Sequence, residues 1–171
     1  MPPIPLDTMP IDTIPIDKTW ARKQAFLEKV KRLFEHELPF NRVLGIRVVS
    51  LGADTALIDF SNRDDLIGNI FHKTLHGGVI SGVLDTVGGL AAMASLVDRL
   101  SGLPDEKLLP IFSRVGTIDI RVDYLRPGKG AHFAASAWVM RSGRKVAVVR
   151  MELRTDTDVL VAVGTGTYLV G

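Results

Sequence analysis

Two short features of the chain have residue types and spacing that can do chemistry. Asp85 is the single carboxylate in an uncharged, glycine- and alanine-rich run over residues 74–97, and His76-Gly77-Gly78 stands where that run begins. A lone acid in an apolar run of helical length is costly to bury without a partner. It suits a general base or a nucleophile; the ordinary alternative is a carboxylate bonded by a neighbouring hydroxyl or paired with an arginine. Gly77 and Gly78 fall in the first turn, where backbone N–H groups lack intrahelical acceptors and the helix dipole is positive. Such a terminus can hold a developing oxyanion. The eight residues from Gly77 to Asp85 span about 12 Å of helix, whereas attack needs contacts of about 3 Å. If both act in one reaction, they come from different subunits, and the chain is an obligate dimer with shared sites.

The elements that position these groups follow from periodicity. Gly82, Gly88 and Gly89 lie inside the central run, each costing a helix about 1 kcal/mol relative to alanine. With Ser81, Ala91, Ala92, Ala94 and Ser95 they shape a helix for close approach to a curved sheet. Upstream, residues 2–18 carry proline about every five positions, which forbids a helix and implies an extended, polyproline-like or disordered extension. Thr19 is placed to cap a helix over 20–38, with Trp20, Phe26, Val30 and Leu33 on its apolar stripe and Pro39 ending it. A short turn over 41–45 leads to a hairpin of strands 47–51 and 56–60, and then to a polar, irregular stretch over 61–73. Beyond the central helix, 101–110 is a loop or short helical turn, followed by strands at 116–125, 132–140, 145–154 and about 159–170. In the first of these, Thr117, Asp119, Arg121 and Asp123 alternate with Ile118, Ile120, Val122 and Tyr124. Short turns require antiparallel neighbours. The expected architecture is α+β: one antiparallel sheet of about six strands wrapped around one long helix, with an N-terminal helix, forming a single domain over 19–171 after the extension of 1–18.

Composition narrows the function classes. A chain of 171 residues with 46% hydrophobic and 23% charged residues reads as one soluble globular domain. A formal net charge of +2, no long basic run and few aromatic residues argue against a nucleic-acid partner. The absence of cysteine removes disulfides, thiolate metal sites and a cysteine nucleophile, and fits a reducing cytoplasm. The run over 75–97 approaches membrane-spanning length, but its internal His76 and Asp85 and its lack of basic or aromatic flanks favour a buried core helix over a membrane span.

The stretches LHGGVISGVLDTVGG, GTIDIRVDYLRPGKG and GRKVAVVRMEL and the closing VAVGTGTY, in that order, resemble the hot-dog-fold acyl-CoA thioesterases, in the branch of PaaI and 4-hydroxybenzoyl-CoA thioesterase. PFNRVLG and SRVGTIDIRVDYLRPG are similar to the bacterial YigI-type medium- and long-chain group. The resemblance covers about residues 24–171. It implies hydrolysis of an acyl-CoA thioester to free acid and coenzyme A by a homodimer, itself able to pair into a homotetramer, with no cofactor and no metal. It implies that the N–H of Gly77, with Gly78, polarises the thioester carbonyl, and that Asp85 of the partner subunit acts as nucleophile or as base for water. By the same resemblance His76 positions the substrate carbonyl or its loop, and Thr117 hydrogen-bonds the acid or the attacking water. Arg126, Lys129, Arg141, Arg144 and Lys145 would meet the phosphates of coenzyme A. One departure stands out: many relatives carry Asn six residues before the histidine, where this chain has Ile70, so Asn69 is the candidate replacement.

Two other classes compete. A hydratase or dehydratase of the same fold needs an acid and a histidine in one pocket, while the nearest histidine here lies at the far end of the helix. A non-catalytic acyl-CoA sensor usually brings a DNA-binding segment, for which the helix at 20–38 is a poor candidate. A metal held by His72, His76 and Asp85 lacks a further ligand of fixed place.

Overall fold

The computed structural model describes residues 18–171. Apart from Lys18, the expected proline-rich extension lies outside the described residues. The chain begins with α1 (Lys18–Arg32), which buries Phe26, Leu27 and Val30. A π-helical turn, Leu33–Glu37, follows, then α2 (Pro39–Leu44), which Gly45 closes at φ 71°. This corrects the expected continuous helix over 20–38 and turn over 41–45. Proline suits a first helical turn, where its missing N–H costs nothing, so Pro39 starts a second helix rather than only stopping the first. Thr19 lies inside α1 instead of capping it, and Trp20 is exposed.

The hairpin β1 (Arg47–Leu51) and β2 (Thr55–Ser61) forms as expected. The stretch read as irregular contains a 3₁₀ turn, Asp64–Leu66, and a small hairpin, β3 (Ile67–Asn69) with β4 (Thr74–Leu75). The central helix is α3 (Gly77–Ala94). Two short helices, α4 (Val97–Leu100) and α5 (Asp105–Phe112), precede β5 (Gly116–Tyr124), β6 (His132–Ser142), β7 (Val146–Thr155) and β8 (Leu160–Leu169). The main sheet has six strands in the order β1-β2-β6-β7-β8-β5, every neighbouring pair antiparallel. It curls around α3, which is the hot-dog arrangement.

The small residues of α3 do what close approach requires. The Tyr168 hydroxyl and Met151 Sδ lie where a Cβ on Gly88 would be, so only glycine admits the tyrosine across the helix. Phe40 of α2 presses on Gly82 in the same way, with its ring edge 3.0 Å from the place of a Cβ. By length and composition α3 could cross a bilayer. Its buried residues, Ile80, Val83, Leu84, Val87 and Leu90 among them, instead form one core with Ile58, Ala135, Val149, Met151, Leu153 and Val161 of the sheet.

Candidate active site

The start of α3 is built around His76. Its backbone is extended (φ −63°, ψ 138°) and its Nδ1 accepts the Gly78 N–H at 2.8 Å, which makes it the N-cap and leaves Nε2 to carry the proton of the neutral ring. Its own N–H donates to Leu66 O at 2.8 Å. Gly68 of β3 packs so tightly on it that a Cβ there would collide with the His76 backbone. Leu75 N–H donates to Gly128 O at 2.9 Å, and the Tyr124 hydroxyl donates to Gly77 O at 3.0 Å. Of the two N–H groups expected to face an oxyanion, Gly78 is therefore spent on its neighbour. Among the described residues no acceptor meets the N–H of Gly77.

Asp85 is half-buried on α3, and its Oδ1 accepts the Thr117 hydroxyl at 2.8 Å. A β-bulge aims that threonine. In β5, Thr117 pairs with Tyr168 while Asp119 pairs with Thr167, so Ile118 is an extra residue. Strict alternation would place Thr117 on the same face as Asp119, Arg121 and Asp123; the bulge reverses it onto the face that covers α3. Tyr168, its cross-strand partner, sends its hydroxyl to Asp85 O at 3.3 Å. Burial, and then the Asp85 charge, push the Tyr168 phenol far up from its ordinary value. The acid and the helix start are thus tied to opposite ends of β5, through Thr117 and Tyr124. Those anchors are roughly 23 Å apart at about 3.3 Å per residue. Within one protomer the two halves do not form one site.

A cavity of about 770 Å³ opens at Asp85 and Thr117, within the roughly 300–1,000 Å³ range of small-molecule sites. Leu33, Phe34, Phe40, Met93, Leu108 and Phe112, from the helices around α3 and from α3 itself, give it apolar walls. Three residues of this region were not singled out by sequence: Asn41 in the cavity wall, and the tyrosines Tyr124 and Tyr168. The signal for Asn41 was a polar residue inside PFNRVLG; the tyrosines stood inside the quoted RVDYLRPG and VAVGTGTY stretches, with no role assigned to them.

The remaining expected site residues are more dispersed. Asn69 Oδ1 accepts from Phe71 N at 3.0 Å and His72 N at 3.1 Å, so its carboxamide closes its own turn. The basic residues form two groups rather than one cluster. Arg126, whose Nη1 donates to Leu160 O at 3.1 Å, and Lys129 lie in the β5–β6 turn, beside the start of α3 through the Leu75–Gly128 bond. Arg141, Arg144 and Lys145 are exposed at the β6–β7 turn, where Ser95 and Ser142 join hydroxyls at 2.9 Å. The length of β6, roughly 35 Å at about 3.3 Å per residue, separates the groups. Among the described residues, no three His, Asp or Glu side chains stand together to hold a metal.

Residues 72–162 match the thioesterase superfamily (4HBT). The medium/long-chain acyl-CoA thioesterase YigI of Escherichia coli is 41% identical over 145 residues, covering 85% of this chain and 94% of that protein. A crystal structure of a Shewanella oneidensis protein related to the thioesterase superfamily superposes with a TM-score of 0.82 at 42% identity, over 87% of this chain and 97% of that one. A mutant form of the phenylacetic acid degradation protein PaaI of Thermus thermophilus superposes at a TM-score of 0.61 with 28% identity, over 77% of this chain and 98% of that one. With the acid, the helix start and the wrapped sheet in the order that its motifs imply, the chain belongs to the thioesterase superfamily and is a thioester hydrolase.

Proposed function

We propose that the protein hydrolyses medium- and long-chain acyl-CoA to free acid and coenzyme A, as a cytoplasmic homodimer whose subunits each complete the other's site and which can pair into a tetramer. The observation that carries this reading is the Asp85–Thr117 pair, 2.8 Å apart, at the mouth of an apolar cavity. The acyl chain lies in that cavity, which follows α3 from Asp85 to Met93, roughly 12 Å by helical rise. That length suits an aliphatic chain better than a short acyl group.

The thioester carbonyl oxygen accepts the open N–H of Gly77, where helix dipole and donor together stabilise the charge that develops. Asp85 of the partner subunit then attacks the carbonyl carbon, or takes a proton from the water that does. Either route breaks the C–S bond and releases the coenzyme A thiolate. In the base route the thiolate takes up the proton that Asp85 drew from water, and the free acid forms directly. In the nucleophile route water then cleaves the Asp85–acyl anhydride, giving the free acid, restoring the carboxylate and supplying the proton. Thr117 holds the carboxylate in one orientation. His76, by capping α3 through Gly78, positions the helix start and so the Gly77 donor. Arg126 and Lys129, on the Gly77 side, meet the phosphates of coenzyme A, and Arg141, Arg144 and Lys145 are a second candidate contact from the opposite sheet end. Asn69 supports the hairpin turn before the helix. No cofactor takes part.

The test is release of free thiol from an acyl-CoA series, acetyl to palmitoyl, with phenylacetyl-CoA as the aromatic control. Asp85→Asn removes the base or nucleophile at constant shape, and turnover is expected to fall about 10²- to 10⁴-fold with fold and dimer intact. Unchanged turnover in that variant sinks the mechanism. Binding without turnover in the wild type would make the protein a sensor.

A further inference from the structure

Asn41 is 3% exposed, and it and Thr155 are the buried polar residues among those described. Its burial is explained by the helix before it. In an α-helix the Leu38 N–H would bond the carbonyl four residues back, that of Phe34. The π-helical turn moves that bond to Leu33 O, at 3.2 Å, and leaves Phe34 O without its usual donor. Asn41 Nδ2 supplies one at 2.9 Å. A carbonyl can only accept, so the amide is oriented by that bond, and its Oδ1 faces α3, where it accepts the Thr86 hydroxyl at 3.2 Å. Thr86 is the residue after Asp85. The amide also lines the cavity together with Leu33, Phe34, Leu38 and Phe40.

From this we infer that Asn41 is a positioning and specificity-determining residue, tying the apolar wall built by the π-turn and α2 to the turn of α3 that carries Asp85. One hydrogen-bonded unit, Phe34 O to Asn41 to Thr86, then sets how a long acyl chain fills the cavity and so where its carbonyl stands relative to the carboxylate. A chain long enough to touch Leu33 to Phe40 is registered against Asp85 by that wall; a short one is not. The inference rests on the reading that Asp85 acts on a thioester whose acyl chain occupies this cavity.

The experiment compares wild type with Asn41→Leu, which removes both bonds at similar volume, Thr86→Val, which removes only the link to α3, and Thr86→Ser, which keeps it. Thiol release is measured with butyryl-, decanoyl- and palmitoyl-CoA beside thermal stability. For Asn41→Leu and Thr86→Val, kcat/KM for the two longer substrates is expected to fall about 10- to 100-fold while that for butyryl-CoA changes less than about threefold, the loss typical of a misplaced reacting group. Asn41→Leu combined with Thr86→Val is no worse than Asn41→Leu alone, because the two residues act as one unit, and Thr86→Ser keeps the wild-type profile. An equal loss on all three substrates that tracks melting temperature, or an unchanged profile, overturns the inference. Should Asn41→Leu fail to fold, Thr86→Val against Thr86→Ser decides it. Asp85→Asn in the same series separates the two readings: turnover retained there refutes the catalytic assignment, while turnover lost there with the length profile unmoved in the other variants refutes the role of Asn41 alone.

Discussion

Replacing Gly77 by proline deletes the amide hydrogen on which the proposed carbonyl polarisation depends, at little cost to the fold. Gly77 is the first residue of α3, after the N-cap His76 at φ −63°, ψ 138°. Proline is favoured at that helical position, and the residue before it is already in the extended region that proline demands. No internal hydrogen bond is lost, since the Gly77 N–H has no acceptor among the described residues. The nearest atom to a Cβ there is Tyr124 Cε1 at 3.6 Å, an ordinary contact. Stability should therefore stay within about 0.5 kcal/mol of wild type, or rise by up to about 1 kcal/mol through the stiffer unfolded chain. Losing one oxyanion donor should lower kcat by about 10²–10³, or roughly 2.7–4 kcal/mol of transition-state stabilisation. The assay is thiol release from decanoyl-CoA, with a melting curve as control. Mixing then tests the shared site. Gly77→Pro and Asp85→Asn homodimers each carry two damaged sites, but a hybrid carries one intact site, with Gly77 from one chain and Asp85 from the other. Random re-pairing of equal amounts makes half the dimers hybrids with half their sites whole, so about a quarter of the wild-type rate should return. A kcat unchanged in Gly77→Pro refutes the donor, and a mixture no faster than its parents refutes the sharing.

Two further substitutions probe the acid's surroundings. Thr117→Val removes the hydroxyl at 2.8 Å from Asp85 Oδ1; a hydrogen bond to a charged group is worth about 1.5–3 kcal/mol, and the partial exposure of the site lets water replace part of it. The expected loss in kcat/KM is thus about tenfold, near the lower bound of that range, with Thr117→Ser recovering most of it. Tyr168→Phe tests the buried phenol. Because burial raises its pKa in the folded state, its contribution is whole below the unfolded value of about 10 and is lost as pH climbs above it, at about 1.4 kcal/mol per pH unit. Urea unfolding at rising alkaline pH should show wild type losing stability relative to Tyr168→Phe above that point, and parallel curves would refute the buried, neutral phenol.

The sheet and the central helix could be read from sequence because their side chains keep strict periods. β6, β7 and β8 alternate without interruption through most of their length, and α3 is apolar, small-sided and opened by a histidine that can cap it. That Gly77 and Asp85 cannot meet within one helix could be argued as well, since the rise between them is fixed by helix geometry. Two departures from regular period beside the acid were not legible in the sequence. Residues 117–124 alternate perfectly as letters, so nothing marked Ile118 as the extra residue of a bulge; the register against Tyr168 and Thr167 decides it. Residues 30–38 carry an unbroken helical pattern, so nothing marked a π-turn, whose freed Phe34 carbonyl is met by an amide four residues beyond it, at Asn41.

Both departures serve the same few residues. Bulges and π-turns interrupt ladders that would otherwise satisfy every backbone group, and they persist where an aimed side chain or a freed carbonyl is useful. Here the bulge turns Thr117 inward to the Asp85 carboxylate, and the π-turn frees Phe34 O for an amide whose other end holds Thr86, the next residue of the helix. Approached from β5 on one side and from the α1–α2 junction on the other, one turn of α3 is held by the Thr117 hydroxyl and the Asn41 amide. A strand bulged where its threonine meets this turn, and a helix interrupted where an amide can reach it, point to that turn as a place where orientation matters. The acid on it is the residue whose orientation the chemistry needs.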